Sequence, residues 1–325
     1  PVTLTQMETC MHINGVEIEK TFAEAFPMIA ARVVITAATS DWAATAGRVT
    51  TGYATSIIGC DAEAGVECSL SPDQTPDGRP GISLLLFAFN QKQLEKSLIN
   101  RIGQCVLTCP TTACYNGITD IGKDNRIRIG GQLRFFGDGF QSSKQLERCS
   151  SSSITESPSK QRFWRIPVMD GEFVCEDYFG TQNAVAGGNF LILGTSQTKT
   201  LQAAQNAVDA IAEVSDCILP FPGGIVRSGS KVGSQYAALR ASTNDAYCPT
   251  IRGITDSQLP ETVNTVYEIV IDGLTVEAVT LATRVGAIAA CTDGITRISA
   301  GNYGGDLGPH HFHLQKLLMN DSSPN

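Results

Sequence analysis

The chain has 325 residues, of which 42% are hydrophobic and 17% charged, and its formal net charge is −8. This composition is typical of a folded globular protein rather than a disordered or fibrous one. An acidic balance without clusters of Lys and Arg does not favour a surface that binds nucleic-acid phosphates. The length exceeds the ~100 to 200 residues of one typical domain, so we expect two compact units.

The sequence has no pattern typical of export or of membrane insertion. The first residues lack the basic and apolar regions of a signal peptide, and the longest apolar stretch, at 82–89, is far shorter than the ~18 residues that cross a bilayer. The 11 cysteines are odd in number and scattered, unlike a secreted disulfide framework. We therefore expect a soluble, cytoplasmic protein with reduced thiols and no membrane partner.

Two groups of side chains could be considered as metal ligands. They are Cys105, Cys109 and Cys114 in the first half, and His310, His311 and His313 near the end. Zinc and iron–sulfur sites usually open with two residues between cysteines, and these spacings are longer, so buried structural thiols are favoured. An alternating strand with exposed imidazoles is the favoured interpretation of the histidines. No metal site is predicted.

The first half repeats one pattern: an apolar strand, a capped amphipathic helix and a second apolar strand. The predicted strands lie at 32–38, 55–60, 82–88 and 105–109. Asp41 and Asn90 are the predicted N-caps of the two helices. In the second helix, Leu94, Leu98 and Ile102 share an apolar face. Each repeat is a βαβ unit.

The second half repeats the pattern. Its predicted strands lie at 189–194, 217–221, 265–273 and 295–301, with one helix over 201–211 and another that starts after Thr275. Two βαβ units in tandem make a ferredoxin-like βαββαβ lobe, an antiparallel sheet with helices on one face. The predicted fold is therefore α+β with tandem ferredoxin-like lobes, at 12–162 and 163–318.

The middle of the chain is more polar. Residues 126–136 and 163–177 are predicted to form extended strands. Residues 141–161 are rich in serine, and we expect a surface loop there.

The absence of common catalytic motifs disfavours several enzyme classes. The chain has no H-E-x-x-H, no G-x-S-x-G and no G-x-G-x-x-G after a strand, which disfavours a zincin, an α/β-hydrolase and a Rossmann oxidoreductase. Residues 224–231 resemble a phosphate loop, but a serine separates the last Gly from the Lys, and turn residues precede the segment.

Small and polar residues concentrate in three runs of the second half, at 187–189, 221–234 and 241–247. Each run alone is explained by a tight turn, but three in one half favour a ligand site. The candidate residues for close backbone approach are Gly187, Gly188, Asn189, Gly223 and Gly224. The candidates for hydrogen bonds to a heterocycle's amide edge are Ser228, Ser230, Asn244 and Asp245, and Lys231 is a candidate for an anionic tail.

Glu268 is a charged residue in the middle of an apolar predicted strand, and by a period of two it shares a face with Val266 and Val270. It is either a solvated residue on an exposed face or a buried carboxylate. Burial would favour its neutral form and raise its pKa toward a range useful for proton exchange.

Ten segments together resemble the formylmethanofuran:tetrahydromethanopterin formyltransferases of methanogens and methylotrophic bacteria. They are INGVEIE at 13–19, TPDGRPG at 75–81, RIGQCV at 101–106, FFGDG at 135–139, VAGGNF at 185–190, PFPGGIV at 220–226, SKVGS at 230–234, ASTNDAYCPT at 241–250, VYEIVI at 266–271 and ISAGN at 298–302. The specificity lies in their common order and spacing.

This resemblance implies two ferredoxin-like lobes, no metal and no prosthetic group. The co-substrates would be tetrahydromethanopterin and methanofuran or methylofuran, bound in a cleft between subunits of a homo-oligomer, a tetramer or a dimer. Glu268 would be the catalytic carboxylate, and Tyr267 beside it would contact substrate.

Two alternatives stay open. Bacterial members occur in a formyltransferase/hydrolase complex, so this chain could be a non-catalytic or hydrolase-associated subunit. A hydrolase that releases formate alone is disfavoured, because the metal-binding clusters of such enzymes are missing from the sequence.

Overall fold

The computed structural model describes residues 10–56, 59–118, 122–147, 160–228 and 244–319. The strands are β1 (Met11–Ile13), β2 (Val16–Ile18), β3 (Phe22–Thr36), β4 (Glu63–Leu70), β5 (Gly81–Ala88), β6 (Ala113–Asn116), β7 (Arg126–Arg128), β8 (Ser142–Glu147), β9 (Lys160–Val168), β10 (Gly171–Glu176), β11 (Tyr178–Gly180), β12 (Gln182–Gly194), β13 (Cys217–Ile218), β14 (Thr265–Gly273), β15 (Ile295–Ser299) and β16 (His310–His313). The helices are α1 (Ser40–Thr51), α2 (Gln91–Arg101), α3 (Gly130–Leu133), α4 (Gln197–Ile211), α5 (Val276–Ala290) and α6 (Leu314–Met319). The fold is α+β with mostly antiparallel strand pairing.

The chain forms two compact units. The central unit is Pro27–Ala184, and the terminal unit combines the described residues up to Phe26 with those from Val185 onward. This division differs from the predicted lobes, which change at residue 162. Strand β2 pairs with β15 and the start of β3 pairs with β16, so the beginning of the chain is part of the terminal unit.

In the central unit, four strands lie in the order β6–β3–β5–β4, and each neighbouring pair is antiparallel. Helix α1 follows β3 and helix α2 follows β5. The hairpin β9–β10 extends this sheet, because β10 pairs in parallel with β6.

The terminal unit repeats the arrangement with the order β15–β12–β14–β13, again antiparallel throughout. Helices α4 and α5 follow β12 and β14. Their many alanines allow close packing on Phe190, Ile192, Ile269 and Ile271, which form a buried core with them. A Cβ on Gly286 would lie 2.6 Å from Ile211, which shows how closely α5 approaches α4.

Local sequence signals identified the four longest helices, α1, α2, α4 and α5. The Asn90 side chain caps α2 by accepting from the Gln93 N–H at 2.9 Å, and the Thr275 side chain caps α5 in the same way. Leu94, Leu98 and Ile102 are fully buried, as their common face predicts. The predicted cap Asp41 is wrong, because Thr39 accepts from the Trp42 N–H.

Two predicted strands of the first half are wrong. The described residues of the predicted strand 55–60 form no strand. The strand that pairs with β5 on the side away from β3 is β4, whose charged Glu63 and Glu67 interrupt the apolar pattern. Residues 105–109 form no strand either. Helix α2 continues into a π-helical turn at Ile102–Val106, because Ile102 and Val106 extend the buried face of the helix. The strand comes later, as β6.

Predictions for the middle of the chain are partly wrong. After β7, residues 130–137 are helical rather than extended. Within the expected loop, Ser142–Glu147 forms strand β8 on β9, and its mostly polar sequence explains why it was not predicted. Residues 148–159 lie outside the described part of the chain.

The two groups of candidate metal ligands have ordinary structural surroundings. Cys114 is buried, and Cys105 and Cys109 are half-buried. The predicted histidine strand is confirmed as β16, with His311 and His313 exposed beside Phe22. No helix within the described residues is long and apolar enough to span a membrane.

Candidate active site

Glu268 lies in the middle of β14, and the residue is only 9% exposed. Its backbone is paired on both sides, with Leu191 of β12 and with Val226. The Val226 N–H donates to the Glu268 carbonyl oxygen at 2.8 Å, and the Glu268 N–H donates back at 3.2 Å. The carboxylate therefore projects from a fixed point of the sheet.

Alternation along β14 separates its two faces. Ile269 and Ile271 point toward α4 and α5, and Glu268 lies on the opposite face. Leu191, directly across from Glu268, begins an apolar cluster on that face. The cluster consists of Leu191, Leu193, Leu259 and Val263. Glu268 is thus buried partly by apolar groups.

Two polar side chains contact one oxygen of the Glu268 carboxylate. The Ser228 hydroxyl donates to Oε2 at 2.6 Å, and Asn244 Nδ2 donates to the same oxygen at 3.2 Å. Asn244 Nδ2 also donates to Ser228 Oγ at 3.0 Å. The three side chains form a closed triangle of hydrogen bonds.

The pKa of Glu268 is raised above the ordinary value of a glutamate. Burial causes the increase, because it removes water from the charged form. The hydrogen bonds from Ser228 and Asn244 oppose it only in part. The site therefore favours a neutral carboxylic acid over a wider pH range than water does.

Residues 244–264 supply the apolar groups that cover this face. Arg252 organises the segment by donating to the Pro260 carbonyl at 3.2 Å and to the carbonyls of Glu261 and Val263. Tyr247 joins Leu259 and Val263 against the sheet. The segment carries Asn244 at its start, so its packing also places that amide beside Glu268.

Tyr247 and Ser299 belong to the same region and were not predicted as site residues. The Tyr247 hydroxyl donates to Gln258 Oε1 at 2.7 Å and lies 3.4 Å from Ser299 Oγ. Ser299 pairs with Leu191, so it lies in the same row across the sheet as Glu268. Alternation along residues 295–299 would have placed Ser299 on one face, but the sequence does not specify which strand it neighbours.

Asn189 also lies on the Glu268 face, because it pairs with Val270. Its Oδ1 accepts from the Gly301 N–H at 2.9 Å. The structure therefore brings four of the predicted site residues together on this face: Asn189, Ser228, Asn244 and Glu268.

Other predicted residues face the helices. A Cβ on Gly188 would lie 2.6 Å from the Val279 side chain of α5, and Tyr267 packs against the helical core. A Cβ on Gly224 would lie 2.9 Å from Val208 of α4. Close packing explains these glycines without a ligand.

The remaining predicted residues are backbone features or are not described. Gly187 has a φ of +90°, and its N–H donates to Asp272 Oδ1 at 3.0 Å. Gly223, with a φ of +65°, has open space where a Cβ would be. Asp245 opens the 3₁₀ turn Asp245–Tyr247. Ser230 and Lys231 lie outside the described residues.

The described residues contain no group of three or more His, Cys, Asp or Glu side chains arranged to hold a metal ion. Near the carboxylate, Cys248 is the nearest thiol in sequence, and its Sγ lies 3.3 Å from the Asn244 carbonyl oxygen. Burial raises the pKa of Cys248, with a smaller contribution from the charge of Asp245. This thiol is therefore a poor nucleophile at neutral pH.

The chain is similar to known proteins along nearly its whole length. Residues 11–168 match the family model for formylmethanofuran–tetrahydromethanopterin formyltransferase, and residues 171–317 match the model for the proximal lobe of the same family. A formylmethanofuran–tetrahydromethanopterin formyltransferase of Methylobacillus flagellatus is 53% identical over 95% of this chain and 100% of that protein.

Two solved structures are also similar. A chain of the formyltransferase/hydrolase complex from Methylorubrum extorquens, in complex with methylofuran, matches with a TM-score of 0.88 and 48% identity, over 95% of this chain and 99% of that one. The formyltransferase of Methanosarcina barkeri matches with a TM-score of 0.85 and 48% identity, over 94% and 100%. The chain therefore belongs to the formylmethanofuran–tetrahydromethanopterin formyltransferase family.

Proposed function

We propose that this chain transfers a formyl group between methanofuran, or methylofuran, and tetrahydromethanopterin, with Glu268 as the catalytic acid. The buried carboxyl of Glu268, held on one oxygen by two donors, carries the proposal. Identity of about half over nearly the full length of named formyltransferases supports the substrates.

The reaction needs a proton at a defined point. The amine of one carrier attacks the formamide carbon of the other, which forms a new C–N bond and a tetrahedral intermediate with a negative oxygen. Collapse re-forms the carbonyl and breaks the old C–N bond. The attacking nitrogen gives up one proton and the leaving nitrogen takes one, so a Glu268 that has donated its proton is restored by the proton of the attacking amine. A neutral Glu268 can donate to the oxyanion or to that nitrogen, a contribution of about 10²- to 10⁴-fold.

The carriers themselves supply the remaining chemistry. The reaction exchanges one amide for another, so it needs orientation and charge stabilisation rather than an external oxidant or reductant. The predicted contacts to the carriers that stay in this proposal are Gly187, Asn189, Gly223, Ser230, Lys231 and Asp245.

We also propose the finer architecture expected from the sequence: two ferredoxin-like lobes, at 12–162 and 163–318. The four sheet strands and two helices of each lobe lie within these ranges, whereas residues 12–26 and 163–184 belong to the compact unit of the other range. If the four strands around α1 and α2 are numbered 1 to 4 along the chain, their spatial order in the sheet is 4-1-3-2. The four strands around α4 and α5 have the same spatial order. This antiparallel order is that of a βαββαβ lobe.

The assembly is a homo-oligomer in this proposal, a tetramer or a dimer, with hydrolase subunits as further partners. A similar chain in Methylorubrum extorquens is named as one of the subunits of a formyltransferase/hydrolase complex, which supports partners of that kind. The expected cytoplasmic location stays a prediction.

The direct test is a spectroscopic transfer assay with purified protein, formylated furan carrier and tetrahydromethanopterin. We expect formyl-pterin to accumulate only when both carriers are present. If the chain binds neither carrier, the non-catalytic alternative is correct, and formate release without pterin would support a hydrolase. Light scattering that shows an active monomer would contradict the oligomer.

A further inference from the structure

The hydrogen bonds around Glu268 distinguish its two carboxyl oxygens. Both donors, the Ser228 hydroxyl and the Asn244 amide, contact Oε2. Among the described residues, no hydrogen bond reaches Oε1. One oxygen is therefore held by two side chains, and the other keeps its hydrogen-bonding capacity for a bound molecule.

Counting hydrogens shows where the proton of the neutral acid belongs. Two hydrogens point into the triangle. One belongs to the Ser228 hydroxyl, and the other is a single Asn244 N–H shared between Oε2 and Ser228 Oγ, because those two oxygens are only 2.6 Å apart and the two N–H bonds of an amide diverge too widely to reach one each. With the acid proton on Oε1, both of these hydrogens have an acceptor. A proton on Oε2 that pointed to Ser228 would leave the Ser228 hydroxyl hydrogen without an acceptor among the described residues.

We propose that Ser228 and Asn244 are positioning residues that hold Oε2 as the carbonyl oxygen of a neutral Glu268, so that Oε1 carries the proton toward the bound carriers. This inference rests on the proposed function, and it assigns Ser228 and Asn244 to the orientation of Glu268 rather than to substrate binding.

The backbone holds both donors in place. Ser228 follows Val226 by two residues, and Val226 is hydrogen-bonded to the backbone of Glu268 itself. The Asn244 carbonyl accepts from the Tyr247 N–H at 2.9 Å, within the segment that Arg252 organises. Donors fixed in this way prevent the carboxyl group from rotating by half a turn, which would exchange Oε1 and Oε2.

The surroundings of the carboxyl contain few groups that could titrate with it. Leu191 faces it from β12, and Ser299 lies beyond in the same row. Arg227 precedes Ser228, Asp245 and Tyr247 follow Asn244, and Tyr267 and Asp272 are on its own strand. Burial raises the pKa of Glu268 and the hydrogen bonds from Ser228 and Asn244 lower it, and no charged side chain among the described residues contributes to the shift.

The proposal predicts a specific kinetic result for Ser228→Ala and Asn244→Ala. Each change removes a hydrogen bond that favours the charged form, so the pKa of Glu268 rises further and the alkaline limb of the kcat profile moves to higher pH. Loss of orientation lowers kcat by about 10- to 100-fold, while KM for either carrier changes by less than about threefold.

Ser69→Ala is the matched control. Ser69 is an exposed residue of strand β4 in the central unit, whereas the triangle belongs to the terminal unit. We expect its kcat, KM and pH profile to match those of the unchanged protein. If Ser228→Ala and Asn244→Ala instead raise KM with an unchanged pH profile, they bind substrate and the positioning role is wrong.

A spectroscopic measurement tests the proposal without turnover. Infrared difference spectra across a pH titration report the C=O stretch of a protonated carboxyl, and the Glu268 band is identified by its loss in Glu268→Gln. We expect the midpoint of this band to rise in Ser228→Ala and Asn244→Ala but not in Ser69→Ala. An unchanged midpoint overturns the positioning role, whereas absent transfer activity with shifted midpoints overturns only the proposed function.

Discussion

Replacing Glu268 with Gln tests the chemistry of the site with little change to the packing. The two side chains are nearly isosteric, and the Gln carbonyl can take the place of Oε2 and accept from both Ser228 and Asn244. The amide NH₂ then occupies the position of Oε1, where it cannot supply an acidic proton. The fold should therefore persist while proton donation is lost.

The magnitude follows from the burial of the carboxyl. A positioned general acid contributes about 10²- to 10⁴-fold, equivalent to about 2.7 to 5.5 kcal/mol of transition-state stabilisation. Because the residue is 9% exposed, water has little access to replace the missing proton donor. We expect kcat to fall within that range and the KM values to change little.

The assay is steady-state formyl transfer at saturating concentrations of both carriers, with circular dichroism and light scattering as controls for fold and assembly. Glu277→Gln is the matched substitution, since Glu277 is exposed in the first turn of α5. It should stay within a factor of a few of the unchanged protein. If Glu268→Gln retains more than about a tenth of the rate, Glu268 is not the general acid.

Three further results concern stability. A carboxyl whose pKa is raised by folding is stabilising below its unfolded pKa and destabilising above it, so Glu268→Gln should raise the free energy of unfolding in alkaline denaturant titrations but not in acidic ones. Burial would raise the pKa of Glu24, but the backbone N–H donors of Tyr303, Gly305 and Leu307 outweigh this effect and lower the pKa. Glu24→Gln should therefore lower the free energy of unfolding by about 1 to 3 kcal/mol at neutral pH, and this loss should shrink as the pH falls toward the lowered pKa. A loss of equal size at all pH values would contradict an ionised Glu24 held by these three donors. Gly188→Ala should lower stability by about 1 to 3 kcal/mol in thermal unfolding, since its Cβ would meet Val279 at 2.6 Å, and Gly122→Ala, where nothing lies within 4 Å, is the control whose equal loss would refute the packing explanation.

Signals that act over a few residues were sufficient to predict the four longest helices, α1, α2, α4 and α5. Asn90 and Thr275 cap α2 and α5 because a short polar side chain at the start of an apolar helical pattern can satisfy a free backbone N–H. The position of Glu268 on the opposite face from Ile269 was also predicted locally, because side chains along any strand point alternately to its two sides.

Weakly patterned strands were predicted poorly. Five of the six residues of strand β8 are polar, so its extended form depends on pairing with β9 rather than on its own residues. The apolar residues at 105–109 fit a strand as well as a helix, and only the burial of Ile102 and Val106 decides between them. Such segments take their structure from neighbours that are distant in sequence.

The order of residues by itself determined the α+β class, the four helices and the position of Glu268 within a strand, because propensity, capping and alternation are local effects. Only the tertiary structure decided that Glu268 is buried, since Leu191, Ser228 and Asn244 reach it from other parts of the chain. It also assigned Gly188 and Tyr267 to the helical side, away from the carboxyl. Burial and hydrogen-bond partners depend on long-range pairing, and a pattern of residue types does not specify which strands become neighbours.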